Sequence, residues 1–224
     1  MEQSLRQRTF QFASDRLQTG DLFFLKGKWT ESEFIEIIEQ SPWSHIAMVV
    51  RLPEFAEPLL WEATPLDDLE DVIMHKRKKG PQLTLLTQRL HAMTSVSEFA
   101  FRILDAQRTP EMNAALLQFI KDVHESDFPN DQTLLIEILE GRANVKAPYS
   151  NFFCSELVAA SYMAMGLLGN DRVPNGFWPV DFAEANQPDF LGQVKLGEQW
   201  MLLHSGQRYF MEIAFSPASL PVFG

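Results

Sequence analysis

The sequence predicts a single α+β domain, and three observations support this fold class. The chain has 224 residues, which suits one domain of about 100–250 residues. Short apolar segments typical of strands precede, surround and follow helical segments without regular alternation, which favours α+β over a parallel α/β sheet. We find no internal repeat, low-complexity linker or domain boundary. We therefore expect one domain over residues 1–224.

The composition excludes some partners and compartments. The net charge of −11 and the pI of about 4.9 argue against a nucleic-acid partner, whose phosphates need a basic surface. One cysteine allows no internal disulfide, so a reducing compartment is expected. No apolar segment like that of a secretory signal begins the chain, and the longest apolar run, Phe152–Leu168, is short for a membrane span and carries Glu156. These features predict a cytoplasmic protein without integral membrane association.

The first half of the chain predicts mainly strands. Residues 1–18 form either a short helix from Leu5 to Leu17 or a loose lead-in, and a second helix begins after Thr30, with Glu33 at capping-box spacing. The basic segment His75–Pro81 is predicted as a solvated loop. Strands are expected at 22–25, 44–50, 59–63, 82–86 and 97–104.

The second half predicts helices followed by late strands. A helix begins at Pro110 and runs to about His124, because proline suits the first turn of a helix. Further helices are expected at 134–139, from about Cys154, and at 180–185, and late strands at 194–196, 200–203 and 209–215.

The strands at 44–50 and 59–63 suggest a hairpin. If they pair around the intervening loop with Val50 opposite Glu57, then His45 lies opposite Glu62 on the same face. A slip of one residue would place these two side chains on opposite faces.

Cys154 is predicted in the first turn of a buried helix. Tyr149–Asn151 supply turn and capping residue types, and apolar residues follow at helical spacing. At a helix N-terminus the free N–H groups and the helix dipole stabilise a thiolate, which is the nucleophilic form of cysteine. The alternative is a free cysteine packed as a small hydrophobic residue.

A thiol nucleophile needs a base, and the base needs a group that orients it. Among the five histidines, His45 is the candidate with a carboxylate, Glu62, on the proposed neighbouring strand. The alternative is a structural histidine at a strand edge. His204, which follows an apolar strand, remains a second candidate for the base. The other three histidines are weaker candidates: His75 lies in the basic loop, His91 has no evident partner in the sequence, and His124 lies at a helix end.

Four segments contain the candidate residues and their neighbours: Gly20-Asp21-Leu22, Ser44-His45-Ile46-Ala47, Trp61-Glu62-Ala63 and Phe153-Cys154-Ser155-Glu156-Leu157-Val158. The histidine motif precedes the cysteine motif. In these motifs and their order the chain resembles the circularly permuted branch of the NlpC-like papain-fold superfamily, and within it the YiiX-like group; lecithin:retinol acyltransferase is a more distant relative. The resemblance covers about residues 20–180, leaving 105–148 as a helical insertion.

This resemblance implies a permuted papain-like fold, with an antiparallel sheet against the N-terminal end of the cysteine helix. It also implies that Cys154 is the nucleophile, His45 the general base and Glu62 the residue that orients His45. The Cys154 N–H would supply an oxyanion hole. Tyr149 is a second oxyanion candidate, with a packed turn residue as the alternative.

The resemblance implies a cysteine hydrolase, of the amidase or peptidase kind, or an acyltransferase. We expect a small amide, peptide or lipid-acyl substrate and no cofactor or metal, since no set of metal ligands at recognisable spacing is present. The alternative is a catalytically silent module that binds a lipid or acyl conjugate. Four aromatic residues are candidates for a substrate pocket, with core packing as the alternative: Trp43, Trp61, Phe152 and Phe153. The sequence leaves the oligomeric state open.

Overall fold

A seven-stranded antiparallel sheet forms the centre of the protein. The computed structural model describes residues 14–27, 43–93, 98–183, 186–205 and 208–213. The strand order is β4-β3-β2-β1-β5-β6-β7, and each neighbouring pair is antiparallel. The strands are β1 (Leu22–Lys26), β2 (His45–Val50), β3 (Leu59–Thr64), β4 (Gly80–Leu85), β5 (Glu98–Asp105), β6 (Lys195–Ser205) and β7 (Arg208–Ile213).

Helices accompany this sheet, so the α+β class is confirmed. They are α1 (Leu86–Ala92), α2 (Pro110–Val123), α3 (Asp131–Arg142) and α4 (Cys154–Ala164), and two 3₁₀ turns follow at Pro174–Gly176 and Pro179–Phe182. The helix predicted at 5–17 lies mostly outside the described residues, and the one predicted after Thr30 lies wholly outside them.

The central strands β1, β2 and β3 are buried on both faces because their residues alternate between two hydrophobic clusters. One cluster joins Phe24, Met48 and Trp61 to Leu157 and other residues of α4. The opposite cluster joins alternating strand residues to α1, and its members include Phe23, Ala47, Leu60, Leu86 and Leu90. These three strands are therefore mostly apolar, which suits strands covered on both sides.

The predicted register of the β2–β3 hairpin is wrong by two residues. Val50 pairs with Leu59 and Met48 with Trp61, whereas the prediction paired Val50 with Glu57. Pro58 explains the shift, because it has no N–H to donate to the ladder, and β3 begins directly after it. An even shift keeps the side chains on the same faces, so His45 and Glu62 still share one face as diagonal neighbours.

The segment predicted as an insertion is part of the core. Helix α2 begins at Pro110, as the sequence predicted, and Thr109 caps it by accepting a hydrogen bond from Met112 N. Side chains of α2 join the same cluster as α4, and α3 is longer than predicted because Asn130 caps it one turn earlier. The core residues from α2 are Leu116, Phe119, Ile120 and Val123.

Three elements differ from the prediction. Helix α1 was not expected, because the predicted strand at 82–86 ran into its first residue and only Leu86 and Leu90 mark its apolar face. The late strands at 194–196 and 200–203 are one strand, β6, which passes through Gly197. The predicted helix at 180–185 is the 3₁₀ turn Pro179–Phe182.

Candidate active site

Cys154 is the first residue of α4, so its backbone and side chain lie at the helix N-terminus. The N-cap is Phe153, which offers no side-chain cap, so the capping role expected of Tyr149–Asn151 is wrong. The first hydrogen bond of the helix runs from Leu157 N to Phe153 O. The N–H groups of the first turn therefore have no acceptor within the helix, and that of Cys154 adjoins its own sulfur.

His45 and Glu62 form a buried pair across two neighbouring strands. His45 Nε2 lies 2.8 Å from Glu62 Oε2. Only 3% of His45 and 1% of Glu62 are exposed. Because the carboxylate accepts a hydrogen bond, the ring proton at this position lies on Nε2.

The structure also brings Cys154 to His45. The Cys154 thiol is close enough to the imidazole to raise the pKa of His45, both as a hydrogen-bond partner and through its charge. Cys154 belongs to the core cluster on the α4 side of the sheet, whereas the strand alternation places Glu62 on the α1 side. His45, at the first residue of β2, contacts both.

The charges of this cluster favour an imidazolium beside a carboxylate. Burial lowers the pKa of His45, but hydrogen bonds and charges from Cys154 and Glu62 outweigh it and raise the pKa to about 9. Burial raises the pKa of Glu62, but the charge of Arg89 and the hydrogen bond and charge of His45 lower it to about 2. Between these values, His45 carries a proton and Glu62 does not.

Glu62 has two further partners that the sequence analysis missed. Its Oε1 accepts hydrogen bonds from Thr84 Oγ1 at 3.0 Å and from Arg89 Nε at 2.9 Å. Arg89 also donates to Asp68. The alternation of β4 could have placed Thr84 on this face, but Arg89 lies on α1, which the sequence did not predict.

Tyr149, the predicted oxyanion donor, lies in an aromatic group before α4. Its ring is 5.0 Å from that of Phe152 and 5.9 Å from that of Phe119, centroid to centroid. Lys146 Nζ lies over the ring at 4.2 Å. These contacts fix the ring by packing, and among the described residues no hydrogen bond joins its hydroxyl to Cys154. The Cys154 N–H is therefore the better candidate for an oxyanion donor.

The four aromatic pocket candidates are core residues, which corrects their expected role. None exposes more than 6% of its surface. Trp61 Nε1 donates to Ser161 Oγ of α4, and Trp43 Nε1 donates to Gln199 Oε1 of β6. Phe152 packs in the main cluster and Phe153 against α3. Large apolar side chains at these positions fill the spaces between sheet and helices and do not line an open cleft.

Two of the other histidines have contacts or exposure of their own. His124, which follows α2 at the predicted helix end, forms a buried pair through Nε2 with Asp71 Oδ2 at 2.6 Å. The side chain of His75 is 79% exposed, in agreement with a solvated loop. The side chain of His204 lies outside what the structure describes.

The two residues after Cys154 hold the first turn of α4 in place. Ser155 Oγ donates to Phe177 O at 2.8 Å, which ties the turn Pro174–Gly176 to the helix. Glu156 is buried, and neither carboxylate oxygen has a hydrogen-bond partner among the described residues. Burial and the charge of Glu137 raise the pKa of Glu156 well above its usual value. A neutral, buried Glu156 is consistent with a structural role in α4.

Several solved structures are similar to this chain, and one of them is a bacterial metalloprotein. The crystal structure of the metalloprotein yiiX from Escherichia coli O157:H7 matches over 68% of each chain, with a TM-score of 0.47 and 21% sequence identity. No family model matches the chain, and no curated protein matches it.

The described residues also bear on metal ions and membranes as partners. No group of three or more His, Cys, Asp or Glu side chains there could hold a metal ion. In the same part of the chain, every helix is too short or too polar to cross a bilayer.

Proposed function

We propose that the protein is a cysteine-dependent hydrolase, of the amidase or peptidase kind, or an acyltransferase, on a permuted papain-like fold. The contact of His45 with both Cys154 and Glu62 carries this proposal. It joins a nucleophile, a base and an orienting carboxylate that are far apart in sequence, which is the arrangement that activates a thiol.

The first half of the reaction forms an acyl-enzyme. The Cys154 sulfur, having given its proton to His45, forms a bond to the carbonyl carbon of an amide or ester. The electron pair of the C=O bond moves to oxygen, where the Cys154 N–H stabilises it. When this intermediate collapses, the bond to the leaving group breaks and the His45 imidazolium protonates the departing amine or alcohol. The product is a thioester on Cys154.

The second half releases the acyl group. His45, now neutral, takes a proton from water or from an acceptor hydroxyl or amine as that molecule attacks the thioester. The C–S bond breaks, the sulfur leaves as a thiolate, and the imidazolium–thiolate pair is restored. Glu62 stays ionised throughout and holds the ring through Nε2. Water gives hydrolysis, and another acceptor gives acyl transfer.

The substrate classes are a small amide, a peptide or a lipid-acyl ester. Since the four aromatic candidates pack in the core, they do not favour the lipid-acyl class. An experiment on a panel of substrates is therefore the test of both reaction and class.

Intact mass after exposure to a panel of p-nitrophenyl acyl esters and peptide amides tests this proposal. We expect the added mass of one acyl group, removable by hydroxylamine, as a thioester would be. Because Cys154 is the only cysteine, Cys154→Ala should abolish the adduct. The same adduct in Cys154→Ala, or no adduct with any member of the panel, would overturn the proposal.

The burial of the thiol favours a second candidate, a catalytically silent module that binds a lipid or acyl conjugate. Only 3% of Cys154 is exposed, so a substrate reaches the sulfur only if neighbouring groups move. This candidate predicts thermal stabilisation by fatty-acyl ligands that is unchanged in Cys154→Ser and is accompanied by no adduct. Adducts that depend on Cys154 would exclude it as the main role.

A further inference from the structure

Arg89 connects the buried cluster to the protein surface. Only 1% of this residue is exposed. Its Nε donates to Glu62 Oε1 at 2.9 Å, and its Nη1 donates to the two carboxylate oxygens of Asp68 at 2.9 and 3.1 Å. A buried guanidinium needs such carboxylate partners, because the cost of removing it from water is large.

These contacts divide the two oxygens of Glu62 between different partners. Oε1 accepts from Arg89 and Thr84, whereas Oε2 faces His45. The carboxylate is therefore fixed with one oxygen toward the imidazole. Along this path the charges alternate from the surface inward: Asp68 negative, Arg89 positive, Glu62 negative and His45 positive.

We propose that Arg89 is a positioning residue for this site, which keeps Glu62 ionised and oriented so that the shared proton stays on His45. The role matters for catalysis only if the proposed function is right. Its test does not depend on that function, because the titration of His45 can be followed without a substrate.

The energetic reason is the burial of Glu62. Burial is the largest influence on the pKa of Glu62 and raises it, and the charge of Arg89 is the largest influence that opposes it. Burial lowers the pKa of Arg89, but Glu62 and Asp68 raise it above its usual value, so the guanidinium stays charged. Without this cation, the proton on His45 can pass to the carboxylate and leave a neutral pair, which would no longer hold an imidazolium beside the thiol.

The test is the titration of His45 by NMR in the full chain labelled at histidine. In Arg89→Gln, we expect the His45 pKa to fall from about 9 by about one unit or more, which is a tenfold change in the proton affinity. The matched control is Arg102→Gln, which removes an arginine of β5 that is equally buried but bonds to backbone carbonyls such as Gly197 O and Phe182 O. This control should lower stability and leave the His45 pKa within about 0.3 unit of the wild type.

Arg89→Lys separates charge from geometry and serves if Arg89→Gln does not fold. Lysine keeps the cation but lacks the planar fork that reaches Glu62 and Asp68 together. We expect a smaller fall of the His45 pKa than in Arg89→Gln, and about a tenfold slower formation of any Cys154 acyl adduct.

A His45 pKa that is the same as in the wild type in the folded Arg89 variants overturns the inference, whatever the adducts show. A lowered pKa in these variants, combined with no acyl adduct in the wild type, supports the positioning role and overturns the proposed function.

Discussion

Glu62 is the residue on which the buried polar groups converge. It accepts hydrogen bonds from three side chains that lie on β2, β4 and α1. Removing one partner of such a cluster leaves an uncompensated charge in a poorly solvated place, which costs more than the loss of one hydrogen bond. The cluster therefore contributes to the stability of the fold as well as to the proposed chemistry.

The ion pair between His45 and Glu62 should make the free energy of unfolding depend on pH. The folded pKa of about 9 exceeds the usual value of 6.5, so the stabilisation is fully present below about pH 6.5 and is lost as the pH rises through about 9. At pH 6 we expect the wild type to have a higher free energy of unfolding than His45→Gln. At pH 10 this difference should be smaller by roughly 1–3 kcal/mol. Urea denaturation at several pH values measures this difference.

Lys26→Gln is the control for that pH series. This substitution removes an exposed ion pair with Glu98. Because exposed ion pairs contribute little, the free energies of unfolding of Lys26→Gln and the wild type should differ only slightly between pH 6 and 9. A wild-type advantage over His45→Gln that stays constant or grows from pH 6 to pH 10 would contradict the assigned ion pair.

The sequence predicted the three central residues of the site but not the groups behind them. Residue chemistry linked Cys154 to His45, and the predicted hairpin linked His45 to Glu62. The register of that hairpin was wrong by an even number, which still left the His45 and Glu62 side chains on one face. Arg89 and Asp68 could not be paired in the same way. Their contact depends on where α1 crosses the sheet, and sequence periodicity carries no information on that crossing.

At the scale of elements, α3 and the turn Pro174–Gly176 support the first turn of α4. Asn175 Nδ2 donates to Glu137 O of α3 at 2.8 Å and to Val145 O at 3.0 Å. The residue after the turn, Phe177, accepts the hydrogen bond from Ser155, next to Cys154. A change in the packing of α3 therefore reaches the helix end that carries the thiol.

Gly141→Ala tests this support. A Cβ at Gly141 would lie 2.2 Å from Asn175 O, a backbone atom, so the helix and the turn would have to separate. We expect a loss of about 3 kcal/mol in unfolding free energy, together with a change in the alkylation rate of Cys154.

Gly169→Ala is the matched control, because the nearest atom to a Cβ there is 3.5 Å away, on a side chain. Its effect should stay within about 0.5 kcal/mol. The free energies of unfolding are measured by urea denaturation. If Gly141→Ala and the wild type have equal values, α3 does not support the turn Pro174–Gly176.

Most strands were predictable, and the misses have physical causes. The central strands β1, β2 and β3 are apolar runs bounded by turn residues, which is a strong signal. Gly197 hid the continuity of β6, because an internal glycine usually marks an interruption; here the chain passes close to Ile103 O of β5. Helix α1 is only seven residues long, which is too short for a helical period to stand out.

At the scale of the whole molecule, residues 105–148 belong to the core. Four side chains of α2 pack in the same cluster as α4 and the sheet. Burial of each such side chain contributes about 1.5–3 kcal/mol, so their sum is comparable with the unfolding free energy of a typical domain, about 5–15 kcal/mol. The sequence resemblance did not explain this segment, but the fold depends on it.

Replacing residues 106–148 by a short glycine–serine linker should abolish cooperative folding. We expect the shortened chain to lack the near-UV circular dichroism of the full chain and to show no sharp thermal transition. A cooperative transition with native near-UV signals would contradict the placement of α2 in the core.

Alkylation of the single cysteine tests the central claim that Cys154, His45 and Glu62 act as one site. Near pH 6.5 an ordinary thiol, with a pKa of about 8.5, is almost wholly protonated and reacts slowly with iodoacetamide. His124→Gln is the matched control, since it removes another buried histidine that is paired with a carboxylate. We predict that His45→Gln slows the reaction by about a hundredfold relative to wild type, whereas His124→Gln stays within about twofold. Equal rates in wild type and His45→Gln would contradict the account.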